Sequence, residues 1–177
     1  VYGVKVDAKF GVVAATAGYT VFQDATSNMF AYNAAKKEFN TKPFYTENMD
    51  DNKIWNVGVA FDLAKDLNLS ANYMKSSEEY ATNDDDAIVV GLSYAGAKAA
   101  KAGSFGIYAN YYDQARSTVV AHTMNGEYGT HGFKGYMVGA NYTFAKNIVG
   151  AVEYYALEDK LDNSDMKTLW SQLVFTF

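Results

Sequence analysis

The chain has 177 residues, enough for one domain, with 49% apolar and 16% aromatic residues and a formal charge of -5. No stretch comes near the roughly 18 uninterrupted apolar residues of a membrane-crossing helix, and Cys 0 excludes disulfide frameworks and thiolate metal sites. An acidic chain with no basic stripe argues against a nucleic-acid partner.

The predicted elements are strands throughout. With 15 Tyr, 11 Phe and 14 Gly against a single Pro, the composition suits pleated sheet joined by tight turns. The first segment, 2–9, sets Tyr2, Val4, Val6, Ala8 and Phe10 on one face against Gly3, Lys5, Asp7 and Lys9. The second, 12–22, sets out Val13, Ala15, Ala17, Tyr19 and Val21. A long polar segment, 23–53, follows and holds Pro43, where proline costs no ladder hydrogen bond. The third segment, 54–63, sets out Trp55, Val57, Val59, Phe61 and Leu63 against Asn56, Gly58, Ala60 and Asp62. The fourth, 67–76, sets Leu67, Leu69, Ala71 and Tyr73 against Asn68, Ser70 and Asn72, and the fifth, 87–95, sets out Ile88, Val90, Leu92 and Tyr94.

The sixth, 104–114, sets Phe105, Ile107, Ala109 and Tyr111 against Ser104, Gly106, Tyr108, Asn110 and Tyr112. The seventh, 133–144, sets Tyr136, Val138, Ala140, Tyr142 and Phe144 against Gly135, Gly139, Asn141 and Thr143. The eighth, 148–157, sets out Ile148, Gly150, Val152, Tyr154 and Ala156, with Glu153 opposite. The ninth, 169–177, ends the sequence on Leu173, Phe175 and Phe177 of one parity. A period of two held through nine segments is the main signal.

A soluble sandwich also alternates, so the parity has to discriminate. Here the apolar faces carry aromatics towards both ends of several strands, as in Tyr2/Phe10, Trp55/Phe61, Phe105/Tyr111 and Tyr136/Tyr142. Six to eight residues span roughly 20–27 Å along a strand, and at a tilt of about 40° this matches the apolar band between two aromatic girdles. Lys5, Asp7, Lys9, Asp62 and Glu153 fall on the other face, while Lys75, Asp113 and Lys134 share the apolar parity only at strand ends, within reach of water. Short turns at 10–11, 64–66, 95–103 and 145–147 alternate with polar loops at 23–53, 77–86, 115–132 and 158–167. This is the arrangement of a bacterial outer-membrane β-barrel, with short turns and the C-terminus on the periplasmic side.

The expected fold is therefore an all-β, antiparallel transmembrane barrel. Such single-chain barrels have even strand numbers, and Val1-Tyr2-Gly3-Val4-Lys5 reads as mid-strand, with no export signal. The expectation is that 1–177 is the C-terminal portion of one larger barrel domain of about 16 strands. A closed barrel of eight strands would leave one apolar strand unexplained.

Phe133-Lys134-Gly135-Tyr136-Met137-Val138-Gly139-Ala140-Asn141-Tyr142-Thr143, then Ala145-Lys146-Asn147-Ile148-Val149, then Lys167-Thr168-Leu169-Trp170-Ser171-Gln172-Leu173-Val174-Phe175-Thr176-Phe177 resemble the barrel end of OmpM-type porins of diderm Firmicutes, the Negativicutes. The similarity is closest over 132–177 and looser before. Proteins of that family pair an S-layer-homology domain and a coiled-coil stalk with a trimeric porin barrel. The resemblance implies passive diffusion, a homotrimer and a tether to peptidoglycan, although the tethering parts are absent from these residues.

Candidate sites follow from the faces. Lys5, Asp7, Lys9, Asp62 and Glu153 are the charged pore-lining candidates, acting either as a field that sorts ions or as pairs that brace the wall. Carboxylates outnumber lysines among them, which predicts a mild preference for cations. Asn56, Asn68, Ser70, Asn72, Tyr108, Asn110, Tyr112 and Asn141 are the polar lining candidates. Leu173, Phe175 and Phe177 form the C-terminal signal for barrel-assembly machinery. Glu78, Glu79, Asp84, Asp85 and Asp86 read as a solvated acidic loop, since consecutive aspartates point different ways and match no calcium loop. His122 and His131 suggest rim catalysis, yet no nucleophile stands at a recognisable spacing, Ser117 and Asp113 being merely near in sequence. Loop 23–53 is long enough to fold into a pore or onto a neighbouring subunit.

The leading function is an outer-membrane channel for small hydrophilic solutes and ions, with lipid as partner, no cofactor, no metal and no enzymatic activity. The alternative is a structural or adhesive barrel with a filled lumen.

Overall fold

The computed structural model describes residues 1–23, 25–29, 32–33, 38–39, 45–49, 51–80, 84–119, 124–126 and 131–177. Along the chain run β1 (Tyr2–Phe10), β2 (Val13–Phe22), β3 (Ala25–Met29), β4 (Tyr32–Asn33), β5 (Glu38–Phe39) and β6 (Tyr45–Met49). Then come β7 (Asn52–Ala64), β8 (Leu67–Tyr80), β9 (Asp84–Ala95), β10 (Phe105–Ala115), the 3-10 turn η1 (Arg116–Thr118), β11 (Gly132–Ala145), β12 (Ile148–Asp159) and β13 (Asp165–Phe175). The principal sheet has nine antiparallel strands in the order β1-β2-β7-β8-β9-β10-β11-β12-β13. It is a meander interrupted once, where β3 pairs with β6 and β4 with β5 inside the segment read as a loop. The sheet is open, with β1 and β13 as its edges.

The nine segments that alternate in sequence are the nine strands of this sheet, and their pairing keeps all the apolar sets on one face. Val6, Ala17, Val57, Tyr73 and Ile88 stand opposite one another in a row across five strands. On the other face Asp7, Thr16, Gly58, Asn72, Val89 and Tyr112 form the adjacent row. A one-residue slip would exchange the two faces. Apart from the buried Val21, the apolar face is largely uncovered: Val6, Val57, Val59, Leu92, Ile107 and Val138 are each more than a third exposed. That extent of apolar surface goes well beyond the patches a soluble monomer carries.

Two aromatic bands cross the strands obliquely. Trp55 is paired with Lys75, so the ring beside it, Tyr73, sits two residues along, with centroids 5.4 Å apart. Tyr111 and Tyr154 repeat the step, because Ile88 pairs with Asp113 and Tyr136 with Ala156. At about 3.3 Å per residue and 4.8 Å between strands, three such steps across β2 to β13 correspond to a tilt of about 30°.

One hairpin design occurs twice. Ala64-Lys65-Asp66-Leu67 and Ala145-Lys146-Asn147-Ile148 join β7–β8 and β11–β12, each with a register shift just before the turn, between Asp62 and Ala64 or between Thr143 and Ala145. Asp66 (φ 62°) and Asn147 (φ 65°) take the left-handed conformation that short polar side chains tolerate, and the bulge adds local twist.

The polar face carries a repeated steric pairing. Asn56, Asn72, Asn110 and Asn141 stand directly across from Gly18, Gly58, Gly91 and Gly106. Each carboxamide occupies the space a glycine side chain would need: a Cβ on Gly91 would lie 2.7 Å from Asn110 Oδ1, and one on Gly106 2.9 Å from Asn141 Oδ1. The asparagines therefore lie flat against the wall. At Gly18 the space is taken by Asn56 alone, which makes the pair testable. Gly18→Val should cost about 1–2 kcal/mol through overpacking, and most of that cost should disappear in an Asn56→Ala background. Unfolding of the four proteins of this double-mutant cycle measures it; an unchanged cost would mean that the carboxamide is not the obstacle.

Candidate functional site

The polar face divides into two regions. Across β1, β2 and β7 from Asn56 onward it is open and charged. Lys5 Nζ lies 3.1 Å from Asp7 Oδ1, and Lys9 Nζ reaches over β2 to within 3.8 Å of Asp62 Oδ2. These side chains are half or more exposed, so each pair contributes at most about 1 kcal/mol to stability. Asp62 also accepts a hydrogen bond from Asn68 Nδ2 at 3.1 Å, and Ser70 Oγ donates to the Gly91 carbonyl at 3.5 Å. Four of the five charged candidates thus lie in two lysine–aspartate pairs, one along β1 and one across β2.

Across β10 to β13 the same face is covered. The chain leaving β10 turns onto the polar face through η1, which lies against β8 and β9, with Ala115 and Ser117 fully buried. Asn52, itself fully buried, donates from Nδ2 to the Ser117 carbonyl at 2.8 Å and accepts from Ser76 Oγ at 2.6 Å. Val119 then enters an apolar cluster with Tyr112, Phe133, Met137, Tyr155 and Leu157, against which Met124 and Met166 pack. Gly126 lies against the Tyr155 ring. Asn125 donates from Nδ2 to Glu153 Oε2 at 3.0 Å and from its backbone N–H to Tyr155 Oη at 3.3 Å. Tyr108 donates to Glu153 Oε1 at 2.8 Å, and Tyr155 donates to Glu153 Oε2.

This cover changes how the candidates read. Asn56, Asn68, Ser70, Asn72, Tyr108, Asn110 and Asn141 share the polar face, as the alternation requires. Tyr112 shares it too but is only 7% exposed, its ring 5.8 Å from Phe133 and its hydroxyl held by Asn110 Nδ2 at 3.0 Å. It is a packed side chain under the segment after β10. Glu153 is likewise enclosed by donors. The segment that folds onto this face follows β10; of loop 23–53, Asn52 and Lys53 belong to β7, and within 24–50 only the backbone pairing of β3–β6 and β4–β5 is described. The signal for the cover was present in the sequence: Phe133, Met137, Tyr155, Leu157 and Met166 are apolar residues of polar-face parity, opposite solvent-ready positions elsewhere.

At the far ends of β8 to β12 the charges form pairs. Asp84, Asp85 and Asp86 bring carboxylate oxygens within 4.8 Å of one another, so they converge where the sequence suggested divergence. Lysines compensate them: Lys75 Nζ lies 2.7 Å from Asp85, and Lys160 bonds both Asp84 and, at 2.6 Å, Asp113. Lys134 pairs with Glu158 at 3.1 Å. His131 Nδ1 lies 3.2 Å from the buried Asp159 carboxylate, whose oxygens also accept the Leu161 N–H at 2.9 Å. Ser117 is fully buried and so out of reach of a substrate, and His122 lies outside the described residues. At the other end, Leu173 and Phe175 stand on the apolar face opposite Gly150 and Ile148, and Phe177 follows the last strand. No model of a known protein family and no curated protein matches the chain.

Lys160 joins β9, β10 and the turn after β12. Burial alone would lower its pKa, but hydrogen bonds to Asp113 and Asp84 outweigh that and raise it above the ordinary lysine value. A raised lysine pKa contributes stability that is fully present below about pH 10.4 and is lost as pH climbs through the folded value. Lys160→Ala should therefore destabilise by about 1–2 kcal/mol at pH 7. The difference from wild type should shrink in unfolding measurements above the lysine range. A constant difference would assign the effect to packing of the side-chain stem.

Proposed function

We propose that the chain forms the wall of a bacterial outer-membrane β-barrel and works as a porin, passing small hydrophilic solutes and ions by diffusion. The observation that carries this is the division of one nine-stranded sheet into an exposed apolar face and a face of carboxamides, hydroxyls and ion pairs. In water such an apolar face has no partner. In a bilayer it meets acyl chains, the two oblique aromatic bands sit at the interfaces, and the polar face borders an aqueous path. The tilt of about 30° is near the range of such barrels. Lipid cannot satisfy the backbone groups along the edges of β1 and β13, so in the membrane both edges pair with further strands.

The resemblance over 132–177 to OmpM-type porins supports the same reading and suggests a homotrimer, with Leu173, Phe175 and Phe177 presented to the assembly machinery. No catalytic step is assigned. A second reading, a structural barrel with an obstructed interior, draws on the segment after β10 that covers the polar face of β10 to β13.

Two measurements test the proposal. Single-channel conductance in planar bilayers, with liposome swelling in sugars of graded size, should show an open pore with a size cut-off. A protein that inserts but never conducts would favour the structural reading. Arginine scanning tests the membrane itself. Val59→Arg and Val90→Arg should each cost about 2–4 kcal/mol near the midplane, and Ser70→Arg, between them on the polar face, much less. Equal costs on both faces would remove the membrane assignment.

A further inference from the structure

We propose that Glu153 is a positioning residue, which holds the segment 124–126 against the polar face and so sets the width of the path. The inference rests on the porin reading for its consequence, and on the hydrogen bonds of Glu153 for its substance.

Three donors converge on this carboxylate, two phenols and one carboxamide, and the carboxamide belongs to Asn125 of the covering segment. Hydrogen bonds to an ionised acceptor are the strong ones. Its oxygens are thus engaged by both the wall and the segment, and because all three donors are neutral Glu153 keeps its negative charge. Lys5, Asp7, Lys9 and Asp62, by contrast, lie in two ion pairs whose charges compensate one another.

The repeated hairpin gives independent support. Val57-Gly58 in β7 and Asn72-Tyr73 in β8 stand about the Ala64-Lys65-Asp66 turn as Val138-Gly139 in β11 and Glu153-Tyr154 in β12 stand about Ala145-Lys146-Asn147. Gly58 faces Asn72 across the strands, and Gly139 faces Glu153. In the first hairpin the carboxamide lies in the space above its glycine. In the second the Tyr108 ring takes that space above Gly139, and its hydroxyl bonds Glu153. The position that carries a short wall residue in one copy carries a longer, charged one in the other, where the covering segment lies. The substitution converts wall into anchor.

The test compares wild type, Glu153→Gln, Glu153→Asn (the residue of the sister hairpin) and Asp62→Asn, each as the full chain. Amide hydrogen exchange over 124–126 reads the anchor without any need for conduction. Both Glu153 variants should exchange there at least about tenfold faster, by loss of a charge-assisted bond, and Asp62→Asn should not. In bilayers, the Glu153 variants should change conductance by about 1.5-fold or more at 1 M KCl, where a Debye length of about 3 Å screens charge and width dominates, and Asp62→Asn should not. Unchanged exchange would overturn the anchor. Unchanged conductance of the Glu153 variants at 1 M KCl would overturn the setting of the path's width. If wild type itself does not conduct, the porin reading fails and exchange alone decides the anchor. Should a Glu153 variant not fold, Asn125→Ala removes the same bond from the covering segment and is read in the same two ways.

Discussion

The cross-strand register is the constraint on which everything else depends. Eight pairings join nine strands, and each places the apolar set of one strand opposite that of the next. Since side chains alternate strictly, no strand can slip by one residue without exposing charge on one face and hydrocarbon on the other. Among the described residues the three register shifts all fall towards strand ends: those at Asp62/Ala64 and Thr143/Ala145 lie next to short turns, and the one between Lys75 and Tyr80 lies at the opposite end of β8. The glycine–asparagine pairs reinforce the register, because each polar side chain fits only above a residue that has none.

The same face serves two purposes in two places. On β1, β2 and β7 from Asn56 onward it is open, with small residues, carboxamides and lysine–aspartate pairs that keep opposite charges close together. On β10 to β13 it holds the hydrophobic cluster around Tyr112, Phe133, Met137, Tyr155 and Leu157, covered by a segment whose polar groups are tied to Asn52 and Glu153. The cluster orders that segment through burial, and the hydrogen bonds give it one orientation. In the proposed channel the covered half would narrow the path.

How far the sequence reveals this depends on the range of the contacts. Val57 to Phe61 or Ala140 to Phe144 announce their strands because alternation is local and survives any tertiary context. The ends of the strands are harder to see. Polar residues on both faces erase the period beyond Ser76 and before Ala87, yet hydrogen bonding carries β8 to Tyr80 and starts β9 at Asp84. Tyr112 was misleading because its residue type permits either an open or a packed place, and only the neighbouring ring of Phe133 decides. Contacts such as Lys160 with Asp113, 47 residues apart, or Asn125 with Glu153, 28 apart, leave no periodic trace. They arise from how the sheet brings distant hairpins together, and the apolar residues of polar parity were their only local sign.

The doubled hairpin says something about how such a wall can change size over evolutionary time. Removing or adding a single strand would reverse the direction of all that follows and put short turns where long loops belong. A unit of two strands and their Ala-Lys-Asp or Ala-Lys-Asn turn brings its own bulge, its own alternation and both of its ends on the same side. Inserting such a unit changes the circumference and leaves the facing of every other side chain untouched. A copy made in this way starts as plain wall and is then free to diverge at single positions.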